Sequence, residues 1–111
     1  MIKEDILAKE FVRLTLGYYP SVRELLSKTY IKVITNYWGR PRRPFQYVGI
    51  YCSQEILSSV QDKKDVFEDI AYNMGLSPVV ILNSSRLLKD PKSKLKQADP
   101  RLWFDLQLIE A

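Results

Sequence analysis

The chain has 111 residues, 46% of them hydrophobic and 27% charged, a composition that excludes wholesale disorder and suits one compact domain over residues 1–111. Seventeen Lys and Arg against thirteen Asp and Glu leave a net charge of +4. The single Cys52 excludes an internal disulfide framework, and the absence of histidine excludes Ser-His and Cys-His nucleophiles and zinc sites of the usual Cys/His composition.

Residues 2–16 predict a helix, with Leu7, Phe11 and Leu14 at helical spacing and Gly17 placed to end it. Ser21-Val22-Arg23-Glu24 has the capping-box pattern, in which a hydroxyl and a carboxylate each satisfy an unpaired N–H at a helix start. It predicts a short second helix carrying Leu25 and Leu26. From Thr29 the period changes to two: Ile31, Val33, Thr35 and Tyr37 share one face, and Lys32, Asn36 and Trp38 the other. That strand ends at Gly39–Pro44, whose prolines remove ladder donors. Phe45–Cys52 predicts a second strand, apolar on both faces and therefore central in a sheet.

Ser53 can cap a helix with Ile56, Leu57 and Val60, and Asp62 its continuation, which turns Phe67, Ile70, Ala71 and Met74 to the core. Gly75 and Pro78 stop it, and Val79–Leu82 predicts a short buried strand. Ser84–Gln97 is polar and basic, with a helical turn able to start at Asp90-Pro91. Asp99-Pro100 offers another helix start, yet Leu102, Phe104, Leu106 and Leu108 alternate, and the alternation favours a strand. The expected fold is α+β: a small sheet of about four strands, made of the β-hairpin 29–52 plus strands near 78–83 and 101–109, with helices packed mainly on one face.

The start, MIKEDILAKE, lacks the basic-then-apolar pattern of a secretory signal, and no apolar run approaches the ~20 residues of a membrane span. With a lone thiol, this points to a cytoplasmic protein that does not engage membranes.

Little of the chain suggests catalysis. Asp62, Asp65 and Asp69 share a helical face that could hold Mg²⁺, but acids favour early helical turns, and Lys63 and Lys64 neutralise them. Cys52, between a strand and a helix start, reads as a small buried hydrophobe with no base to activate it. The glycines at 17, 39, 49 and 75 form no phosphate-cradling loop. Gly49-Ile50-Tyr51 is similar to half of the GIY-YIG nuclease signature; the other half and the downstream arginine and histidine are missing. No metal, cofactor or enzymatic activity is expected.

Charge is more informative. Residues 20–43 carry six bases (Arg23, Lys28, Lys32, Arg40, Arg42, Arg43) against Glu24. Residues 86–101 carry six more (Arg86, Lys89, Lys92, Lys94, Lys96, Arg101) against Asp90 and Asp99. The tip Trp38-Gly39-Arg40-Pro41-Arg42-Arg43-Pro44-Phe45 stands out because its prolines stiffen a display of three guanidinium forks. Tyr37, Trp38, Phe45 and Tyr47 flank it as stacking surfaces. Gly39-Arg40-Pro41 resembles the centre of an AT-hook, a short minor-groove motif, with Trp38 where that motif has an arginine. The resemblance covers only this turn and implies a contact mode.

The expected function is non-catalytic nucleic-acid binding through Arg40, Arg42, Arg43 and Trp38, with Lys32 and a second zone at Lys89, Lys92, Lys94 and Lys96. The alternative is a small protein-interaction module, an accessory subunit or inhibitor, in which the same Arg and aromatic residues anchor a protein partner.

Overall fold

The computed structural model describes residues 3–89 and 94–110. Helix α1 spans Glu4–Tyr18 and buries Leu7, Phe11 and Thr15, a single stripe at every fourth residue. The Thr15 hydroxyl donates to the Phe11 carbonyl at 2.7 Å, so its burial leaves no polar group unsatisfied. A 3₁₀ turn over Pro20–Val22 leads into α2, Arg23–Ser27. Ser21 makes no side-chain cap there. Pro20 starts the turn, its fixed φ suiting a helical first position, and Ser21 falls inside it.

Strands β1 (Tyr30–Trp38) and β2 (Arg43–Cys52) form an antiparallel hairpin whose register runs from Trp38 opposite Arg43 to Tyr30 opposite Tyr51. After a 3₁₀ turn at Gln54–Ile56, α3 (Leu57–Asp62) and α4 (Lys64–Asn73) carry the chain back across the sheet. Strand β3 (Val79–Asn83) then pairs parallel to β2, from Val48 opposite Val79 to Cys52 opposite Asn83. The order β1-β2-β3 makes β2 central, which its two apolar faces require. Three short helices follow: α5 (Ser84–Lys89), α6 (Leu95–Ala98) and α7 (Pro100–Glu110). The expected helical turn at Asp90-Pro91 lies outside the described residues.

The class is α+β, with a mixed sheet of three strands among the described residues instead of about four. The expected strand at 101–109 is helix α7. Asp99 decides it: its Oδ1 accepts the Leu102 backbone N–H at 3.1 Å, and Pro100 begins the helix without needing a donor. Leu102 and Leu106, four apart, are buried, whereas Phe104 and Leu108 stand 59% and 62% exposed. The alternation of leucines thus splits between two sides of a helix.

Both sheet faces carry helices. On one, Val33, Val48, Ile50, Cys52 and Val79 meet Leu7 and Phe11 of α1, Leu26 of α2, Val60 of α3 and Phe67 and Ile70 of α4. On the other, Tyr51 packs with Leu102 and Leu106 of α7, and Tyr30, Leu82 and Leu87 close round them. This second, smaller core sits at the end of the hairpin remote from its turn.

Candidate functional site

The hairpin turn consists of four residues, Gly39–Arg42, between the paired Trp38 and Arg43. Gly39 has φ +92°, a left-handed value that costs glycine little and other residues more. A Cβ there would sit 3.5 Å from the Pro41 carbonyl oxygen, so backbone angle and not space demands the glycine. Every residue from Trp38 to Phe45 is exposed, and Trp38 most conspicuously, at 78%.

Strand alternation places Trp38, Arg43, Phe45 and Tyr47 on the sheet face that α7 covers only at its far end. The Phe45 and Tyr47 rings stack, centroids 6.0 Å apart and planes 26° apart. Beside them the turn forms one side of an open cleft of about 680 Å³. Trp38, Arg40, Pro41 and Arg43 line it together with Phe45. Ser77 and Pro78, the lead-in to β3, complete the lining. Two backbone bonds hold that second side against β2: Ser77 N–H donates to the Gln46 carbonyl at 3.1 Å, and Val48 N–H to the Pro78 carbonyl at 3.2 Å. Nothing local in the sequence announces Ser77 and Pro78. Pro78 reads as a helix stop, and only the parallel pairing of β3 brings it to the turn.

Arg40, Arg42 and Arg43 have no carboxylate within 4 Å among the described residues. Three guanidinium groups with five donors each are therefore available to an outside anion.

The lysines are placed differently. Lys32 Nζ lies 3.2 Å from Asp99 Oδ2, half-buried in an ion pair between β1 and the start of α7. Lys96 Nζ sits 4.8 Å from the centre of the Trp103 ring, a cation–π contact. Lys89 is exposed at the end of α5, and Lys94 is exposed in a left-handed conformation, φ 52°, ahead of α6. Lys92 lies outside the described residues. Since α5 follows Asn83, which pairs with Cys52, Lys89 belongs to the sheet end opposite Arg43, about 30 Å along β2 at ~3.3 Å per residue. The fold brings Trp38 and the three arginines together and sets Lys89 apart from them.

Two acids of α4 have structural partners. Glu68 pairs with Lys64 at 3.7 Å, and Asp69 accepts the Tyr19 hydroxyl at 3.1 Å, a bond that raises the Tyr19 pKa. Among the described residues no group of acids, cysteine or histidine could hold a metal ion. Cys52 is fully buried. No described helix is long and apolar enough to cross a membrane.

No family model matches the chain, and neither a curated protein nor a solved structure is similar to it.

Proposed function

We propose that this protein is a non-catalytic nucleic-acid binder that grips phosphates with Arg40, Arg42 and Arg43. One observation carries the reading: three guanidinium groups without acidic partners among the described residues, on a turn stiffened by Pro41 and followed by Pro44 in β2, stand beside the exposed rings of Trp38 and Phe45. Each planar fork can bind a phosphate through two parallel hydrogen bonds, and the stiff turn loses little conformational freedom on docking. Released counterions supply the driving force, so a net charge of only +4 suffices when the charge is this concentrated. The lone, buried Cys52 suits a reducing setting such as the cytoplasm.

A second reading, a protein-interaction module, draws on the same cleft, where Trp38 and Arg43 are the residue types that anchor protein interfaces. Salt separates the two. The purified protein should carry nucleic acid that a high-salt wash removes, seen as a falling 260/280 nm absorbance ratio. Its affinity for labelled DNA or RNA should fall linearly with salt on logarithmic axes. Absence of salt-sensitive binding to any nucleic acid would assign the tip to a protein partner instead.

A further inference from the structure

Phosphate contacts need only exposed guanidinium groups, yet the tip has more than that. Its cleft, about 680 Å³, falls within the range of roughly 300–1,000 Å³ typical of sites that enclose organic groups. Trp38, Pro41, Phe45 and Pro78 give it apolar surfaces, and Arg40 and Arg43 bring positive charge to the same cleft. Surfaces of this kind take hold of the flat face of a ring and read few hydrogen-bonding edges. Within a closed duplex both faces of each base are covered by its stacked neighbours, and exposing one costs unstacking. An unpaired base offers a face to Trp38 without that cost.

Resting on the nucleic-acid reading above, we infer that the occupant is a single strand, with one base stacked on Trp38 in the cleft and adjoining phosphates held by Arg40 and Arg43. The charge complements a phosphate backbone, and the apolar sides complement a base. The stacked Phe45–Tyr47 pair continues the aromatic surface along the same sheet face, a second platform for the neighbouring base. Recognition through ring faces is tolerant of sequence, since every base has a π-face. Base stacking and phosphate binding are common to DNA and RNA, so both strands belong in the test.

Wild type and Trp38→Ala are titrated with oligodeoxythymidine, with oligouridine, each of about 12 nucleotides, and with a DNA duplex of the same length. The Trp103→Phe variant, in which Trp38 is the sole indole, is followed by fluorescence. The expected result is quenching of Trp38 by the single strands and affinity for them at least about tenfold above the duplex. Trp38→Ala should weaken single-strand binding roughly tenfold to a hundredfold without changing its salt slope, and Trp38→Phe should restore most of the loss. At 78% exposure Trp38 contributes little to the core, so these variants fold. Better binding to oligouridine than to oligodeoxythymidine would mark RNA as the strand, and the reverse DNA. Equal affinity for strand and duplex, or a Trp38→Ala protein with unchanged single-strand affinity, overturns the inference and leaves the arginine contacts standing. No binding to strand or duplex overturns both this inference and the nucleic-acid reading.

Discussion

A single carboxylate, Asp99, joins two parts of the fold 67 residues apart in sequence: Oδ2 lies 3.2 Å from Lys32 Nζ on β1, and Oδ1 accepts the Leu102 N–H that opens α7. This pair gives Lys32 a structural role and separates it from the three arginines at the tip. Asp99→Ala removes cap and ion pair together and should destabilise the protein by about 1–2 kcal/mol, mostly through the missing cap. Asp99→Asn keeps an oxygen for the cap. It should cost less, because a partly exposed ion pair is worth at most about 1 kcal/mol. Urea unfolding midpoints of the two variants check the order.

The same carboxylate predicts an acid response. The Leu102 N–H, and after it the Lys32 ammonium, hold the Asp99 pKa below its ordinary 3.8 despite partial burial. The folded state then binds this proton less readily than the unfolded state. Its contribution is fully present above the ordinary value and is lost as pH falls through the depressed folded value. The stability gap between wild type and Asp99→Asn should accordingly narrow in urea titrations taken from about pH 5 downward. A gap that widens in acid would contradict the assignment.

Phe67 is fully buried in the larger core, its ring centroid 6.4 Å from that of Phe11. Phe67→Ala should cost about 3–5 kcal/mol, through reduced burial and the cavity left between α4 and α1. A loss below about 1 kcal/mol in urea unfolding would mean that this ring does not hold the helices to the sheet.

Cys52 offers a test of the central strand. It is fully buried, so a thiol reagent should label it slowly in the native protein and quickly in urea. Fast native labelling at about pH 6 would instead indicate an accessible thiolate.

Much of this fold is legible in the sequence, for physical reasons. Ile31, Val33 and Thr35 alternate without interruption, and Val48 and Ile50 lie beside Tyr47 and Tyr51 on a strand apolar on both faces, so the hairpin and its central strand can be read directly. The last element cannot. Leu102, Phe104, Leu106 and Leu108 satisfy a period of two, and only the cap at Asp99 and the exposure of Phe104 and Leu108 select the helix. At the site, the clustering of Arg40, Arg42 and Arg43 is local and therefore visible. The Ser77–Pro78 side of the cleft and the Asp99 partner of Lys32 arise from residues distant in sequence, which no pattern in the tip foretells.

Phosphate binding by the three tip arginines is tested most directly by the salt dependence of nucleic-acid affinity in wild type and in the Arg40→Gln, Arg42→Gln, Arg43→Gln triple variant. All three side chains are exposed, so stability should change by no more than about 0.5 kcal/mol per substitution. The triple variant should bind more weakly, with a log–log salt slope shallower by up to about three, roughly one for each phosphate that it no longer neutralises. A triple variant that keeps both the affinity and the slope of the wild type would contradict phosphate binding at the tip.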